Sequence, residues 1–166
     1  MSERSPAPGG LELVQSLVNT LDIESAADSL ETAEGRARFG LAEADIPAAR
    51  ELRESLRVAL LAHAGHPAHR EVTPLGVLLA ASPLLVAVDA ADGSAVLAAA
   101  DQGPLRSRVA AAIAQALVEG TWSRLKACEA GDCHWAYYDR SPAGRGRWCS
   151  MQVCGARAKM RRYRAK

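Results

Sequence analysis

"CEAGDCHWAYYDRSPAGRGRWCSMQVC", from Cys128 to Cys154, holds all four cysteines of the 166-residue chain in the pattern C-x4-C-x15-C-x4-C. Two close pairs separated by a longer loop are what a tetrahedral ion needs. Each pair forms a knuckle, and the intervening segment can fold as a hairpin between them. Thiolates suit Zn²⁺, and the set Cys128, Cys133, Cys149 and Cys154 makes a closed site with no position left for water. The surrounding segment, 121–166, is too short and too poor in aliphatic side chains to fold without a staple. A structural zinc contributes roughly 10–16 kcal/mol in isolated fingers, more than such a core could. The expected cofactor is therefore one structural Zn²⁺ per chain. Against it stand a disulfide pair, which needs an oxidising compartment to which nothing directs this chain, and an iron–sulfur cluster. A redox or nucleophilic thiol is the remaining alternative, but the spacing is not C-x-x-C and no separate Cys/His pair is apparent. His134 abuts Cys133 and could substitute as a ligand, although four cysteines already complete the set.

Outward from the cysteines, "CHWAYYDR" alternates like a strand, Ser141–Gly146 is turn material, and "RGRWC" leads back. Ser150 is the expected N-cap of a helix running through Arg164, with Cys154 in its first turns. Knuckle, hairpin and helix in that order are the layout of a treble-clef finger. Val153, Met160 and Tyr163 recur at helical spacing and are expected to face inward with Trp135 or Trp148.

Charge divides the chain in two. Residues 1–120 carry 9 Lys+Arg against 16 Asp+Glu, a balance of −7, and residues 121–166 carry 11 against 3, a balance of +8. No acid follows Asp139. The expected nucleic-acid contacts are Arg157, Arg161 and Arg164 on one helix face, broadened by Lys159, Arg162 and Lys166, with Arg145 and Arg147 at the hairpin tip. The alternative is a basic finger that docks an acidic protein partner or its own acidic neighbour.

The N-terminal part reads as mainly helical with one β-hairpin. Residues 1–10 look like a flexible lead-in. "LELVQSLVNTL" places Leu11, Val14, Leu17, Val18 and Leu21 at helical spacing. "SLETAEGRARFGL" is a weaker helix. "DIPAARELRESLRVALLAHAG" is a stronger one, with Pro47 at its start, Leu52, Leu56, Ala59, Leu60 and His63 on one face, and Gly65 as the stop. Thr73 is expected to cap a short apolar helix after Pro74. Asp92-Gly93 between two apolar runs signals a two-residue hairpin turn. "PLRSRVAAAIAQALVEG" returns to helix with Val109, Ile113, Ala116 and Leu117 inward and Gly120 as the stop. The division is thus 1–10, 11–120 and 121–166.

The C-x4-C pair, "YYDRS", "RWCSM" and the "CG-x-R-x-K" that opens the basic helix resemble the CGNR zinc-finger proteins of bacteria. "LVNTLD" and the helix–hairpin–helix order of residues 11–120 are similar to the ABATE domain that precedes this finger. The family signature is Cys-Gly-Asn-Arg, where this chain has Cys154-Gly155-Ala156-Arg157. The resemblance implies a stress-induced transcriptional regulator.

Enzyme signatures are missing. There is no Walker A loop, Gly-x-Gly-x-x-Gly, Gly-x-Ser-x-Gly or His-Glu-x-x-His, and no defensible acid–base pair of carboxylates. His63, His66 and His69 are three apart, but Gly65 and Pro67 break the helix that could make them a metal site. Asn19 and Thr20 close the first helix and are the candidates for lining a small-molecule effector site. No run of eighteen apolar residues exists and the first ten residues lack a signal peptide's apolar segment, so a cytoplasmic location without membrane contact is expected. The reading is a zinc-dependent, DNA-binding transcriptional regulator and not an enzyme. Its operator, effector, direction of regulation and oligomeric state stay open, though a homodimer would double the few base contacts one short helix makes.

Overall fold

A computed structural model describes residues 5–165. Lys166, one of the expected phosphate contacts, and residues 1–4 of the lead-in lie outside the described residues. Six helices and three two-stranded antiparallel hairpins are present among them.

Three helices build the core. Helix α1 (Leu11–Val18) buries Leu11, Val14, Leu17 and Val18 against α3 (Ile46–His63) and α5 (Leu105–Val118). From α3 come Leu52, Leu56, Leu60 and Leu61, and from α5 come Val109, Ala112, Ile113 and Ala116. The 3.6-residue period puts these positions on one stripe per helix. Gly65 and Gly120 follow α3 and α5 with φ of +77° and +69°, the left-handed conformation expected of helix stops. Leu21 is not on α1. It opens a two-residue hairpin, β1 (Leu21–Asp22) with β2 (Ala27–Asp28), because the chain turns at Asn19-Thr20. A short 3-10 turn and α2 (Ala33–Ala37) replace the weaker helix, capped by the Thr32 hydroxyl, which accepts from the Gly35 amide at 3.0 Å.

Four local expectations need correction. Leu117 is 60 % exposed, since the last turn of α5 runs past the edge of the core. Thr73 does not cap α4 (Leu75–Leu79); its hydroxyl donates to Glu51 at 2.5 Å instead, and Pro74 holds the cap position. The hairpin β3 (Leu84–Val88) with β4 (Ala95–Ala99) exists, but its turn spans Asp89–Ser94, closed by the Asp89 amide on the Ser94 carbonyl at 2.8 Å. Asp89 and Asp92 each accept from a backbone amide two residues on, so Asx turns and not a two-residue Asp-Gly turn set its shape. In the C-terminal part, the "CHWAYYDR" strand is β6 (Ala136–Tyr138), but its partner is β5 (Leu125–Ala127), upstream of the first cysteine. The hairpin therefore encloses the first knuckle and does not lie between the two, while "RGRWC" returns as a loop. Leu125, Ala127 and Ala136 are fully buried in the same core as the three helices.

No helix of the described residues is long and apolar enough to cross a membrane.

Candidate metal centre

Cys128 follows directly on β5, and the chain reverses over the next five residues. The Cys133 and His134 amides both donate to the Ala130 carbonyl, at 2.9 and 3.1 Å, and the Cys128 amide donates to the Trp135 carbonyl at 3.0 Å. His134 takes a left-handed conformation, φ +45°, which His accepts more readily than a branched side chain. Its Nδ1 lies 3.0 Å from the Cys128 carbonyl, closing the knuckle without joining the sulfurs.

The second knuckle is a widened helical turn. Met151–Gly155 has π geometry, with the Gly155 amide donating to the Ser150 carbonyl at 3.0 Å, and α6 (Ala156–Arg164) continues from it. Ser150 sits where an N-cap would, in extended conformation, but its side chain makes no cap bond. One-turn π insertions often seat functional residues, and this one buries Cys154 beside Cys149. All four sulfurs lie within 4.8 Å of one another, with Cys133–Cys149 and Cys149–Cys154 at 3.6 Å. Four thiolates about 2.3 Å from a tetrahedral Zn²⁺ would stand about 3.8 Å apart, so the residues fit the ion. A structural zinc held by these four side chains would tie the β5–β6 hairpin to the start of α6.

Crowding alone disturbs the thiols. Cys133 is held down at about 2 by hydrogen bonds from Cys128 and Cys149, while Cys128 is pushed up to about 12 by its hydrogen bond to Cys133. Burial pushes Cys154 up, and hydrogen bonds to Cys128 and Cys133 do the same to Cys149. Thiolates are the form that binds zinc, so an ion held here would favour loss of the thiol protons.

Two buried ionic groups that the sequence reading missed hold this centre. Arg57, fully buried on α3, donates to the Val18 carbonyl at 2.9 Å, the His134 carbonyl at 2.7 Å and Glu54 at 3.1 Å. Burial alone would raise Glu54, but the charges of Arg57 and Arg53 outweigh it and keep the carboxyl below its usual range. Lys126 and Asp139 pair at 2.9 Å behind the hairpin, and Asp139 also accepts from the Ser141 hydroxyl and the Gly146 amide, both at 2.6 Å. Burial opposes its charge, yet these donors hold it well below the carboxylate range. That carboxylate shapes the loop bearing Arg145 and Arg147. The available signals were Arg57 beside the Leu56 and Leu60 stripe of α3 and Lys126 between the apolar residues of β5, and each reads equally well as surface.

The basic candidates divide. Arg147 pairs with Glu129 and lies over Trp148, Arg157 pairs with Glu24 at 3.1 Å, and Arg161 approaches Asp132 at 3.7 Å. Arg145, Lys159, Arg162 and Arg164 are exposed and make no ion pair among the described residues. The inward packing expected of Val153, Met160 and Tyr163 does not occur, with exposures of 41, 52 and 78 %. No residue of α6 is buried, since the helix projects from the finger. Asn19 and Thr20 line a cleft of about 610 Å³ with Arg38, Trp135, Ser150 and Arg157. Their polar atoms are already used: the Asn19 amide donates to and accepts from Ala136, at 2.9 and 2.7 Å, and the Thr20 hydroxyl bonds Leu17 and Arg53. The three histidines also part company, His63 going to the Leu125 carbonyl, His66 to Glu129 and His69 to Glu54.

No curated protein matches the chain. Residues 124–166 match the family model of the CGNR zinc finger, the segment that holds all four clustered cysteines and the basic helix.

Proposed function

We propose that this protein is a zinc-dependent, DNA-binding transcriptional regulator whose finger meets nucleic acid through α6. The reading is supported above all by a helix with no buried residue that carries Arg157, Lys159, Arg161, Arg162 and Arg164. A helix free of its own core is available to a groove, and its cations suit phosphates. Zinc supplies rigidity, and no catalytic step is assigned to it. The part before the finger would act as the ABATE-like sensing region. Its cleft against Trp135 and Arg157 is where a small effector would touch both parts.

A second reading has its own support. The pairs Arg147–Glu129, Arg157–Glu24 and Arg161–Asp132 show basic residues already answered by acids, as in a finger that docks proteins. Fluorescence anisotropy of the zinc-loaded chain on labelled duplex DNA, between about 50 and 200 mM salt, separates the two. DNA binding gives a log–log slope near −0.9 per phosphate contacted, and the double variant Arg162→Ala/Arg164→Ala flattens it by about 2 with zinc content unchanged. Glu24→Ala frees Arg157 and tightens binding. Salt-independent binding, or none to any DNA or RNA tried, ends the DNA reading.

A further inference from the structure

The ten strand residues of the β3–β4 hairpin are all Leu, Val or Ala. Register places Leu84, Val86, Val88, Ala95, Leu97 and Ala99 on one face, and Leu85, Ala87, Val96 and Ala98 on the other. Both faces are therefore apolar, yet Leu85, Val86, Val88 and Val96 are 53–69 % exposed. β4 packs on α5, which leaves β3 as the outer strand. Natural edge strands are guarded by a lysine, a proline or a bulge, and β3 has none of these within its span. A two-stranded sheet is also marginal by itself.

The edge has a definite hydrogen-bonding frame. Asp89 bonds Ser94 and Ala100 bonds Pro83, so in this alternating ladder Leu85 and Ala87 spend their backbone groups on β4. Leu84, Val86 and Val88 turn their N–H and C=O groups outward. None of them makes a backbone bond outside the hairpin among the described residues.

We propose that two copies of this chain associate through β3, antiparallel and two-fold about Val86, into a four-stranded sheet. The outward groups are symmetric about that residue, which favours a second copy over an unrelated strand. Val86 then meets Val86 of the second copy, and Leu84 meets its Val88. The three pairs, Val86 with itself and Leu84 with Val88 twice, exchange two hydrogen bonds each. On the other face Leu85 meets Ala87. Asp89 falls opposite Pro83, so no carboxylate faces another. The exposed apolar surface of the hairpin is on the order of 500 Å² per copy, the size of the largest patch on a typical monomer. Edge pairing covers part of that patch on each copy, and the four-stranded sheet it makes is no longer the marginal two-stranded one.

Sedimentation equilibrium of the full zinc-loaded chain tests this. The unmodified chain sediments as a dimer. Val86→Lys, exposed and on the axis, sets two ammonium groups against each other and weakens association by roughly 10-fold. Val118→Lys, equally exposed but on α5, leaves it unchanged. Val86→Cys cross-links to itself under mild oxidation, because the about 5.5 Å separation of a hydrogen-bonded pair suits a disulfide. Val88→Cys does not, since its counterpart is Leu84. A chain that stays monomeric, a dimer indifferent to Val86→Lys, or equal cross-linking at both positions overturns the proposal. The nucleic-acid reading is independent: a dimer that ignores DNA would keep this inference and end that one.

Discussion

Replacing Arg57 by methionine should loosen the zinc centre from a position outside the finger. The substitution keeps a long side chain but removes the charge and the bonds to Val18, His134 and Glu54. Two buried carbonyls would lose their donor, at about 1–3 kcal/mol each. Glu54 would keep Arg53 at 2.9 Å and His69 at 3.0 Å, which places its loss at the lower end of the about 3–5 kcal/mol for breaking a buried pair. Because these contributions overlap, we expect a total of about 5 kcal/mol, a large part of a domain's usual 5–15. At about 2–4 °C per kcal/mol for a chain of this size, Tm falls by about 10–20 °C in calorimetry of the zinc-loaded protein at neutral pH. Competition against a chelator should show weaker zinc binding as well, since the left-handed turn at His134 loses its brace. Adding Glu54→Gln should restore part of the stability by removing the carboxylate left short of a cation. A Tm drop below about 3 °C with unchanged zinc affinity would refute the reasoning and leave Arg57 as a passive filler.

Removing zinc with a chelator should change the fluorescence of Trp148, which packs against Cys128, Ala130 and Cys154, and elemental analysis should count one zinc per chain. A zinc-free native protein, or a loss of zinc that leaves that signal unchanged, contradicts the site. His63 gives a pH test. Burial, with help from Lys126, holds it below 6.5 despite the Leu125 carbonyl 2.7 Å from Nδ1. The unfolded chain binds that proton first, so stability falls as pH drops through about 6.5 toward the lower folded value, by at most about 1.4 kcal/mol per pH unit. His63→Asn keeps an N–H donor near Leu125 and should flatten the denaturant-monitored profile between about pH 7 and 5.5; an unchanged slope assigns the dependence elsewhere.

Legibility in the sequence followed how local each determinant is. Cysteine spacing, the apolar stripes of α1, α3 and α5, and the glycine stops depend on neighbours within a few residues, and they were readable. The partner of β6 was not, because β5 lies across the first knuckle and strand pairing depends on packing with α3. The inward set on α6 was misread for a related reason. Period 3.6 marks Val153, Met160 and Tyr163 as one stripe but cannot say whether anything lies opposite it. Arg57 and Lys126 were invisible as buried groups since their partners, a carbonyl 77 residues away and an aspartate across a hairpin, are set by the tertiary fold alone.

That dependence also changes what a truncation can show. The charge break at Gly120–Thr121 suggests cutting there, so that destabilisation of the first part would report a docked finger. The packing break lies elsewhere. Leu125, Ala127 and Ala136 complete the core of α1, α3 and α5, Asn19 pairs with Ala136 as a strand would, and Arg57 reaches His134. Deleting 121–166 would strip that core whether or not the basic surface docks anywhere. Single charge changes at Glu24 or Asp132 leave the buried layer intact, since both pairs lie at the surface. Such substitutions, unlike the truncation, separate an arginine helix held by its own acids from one kept for phosphate.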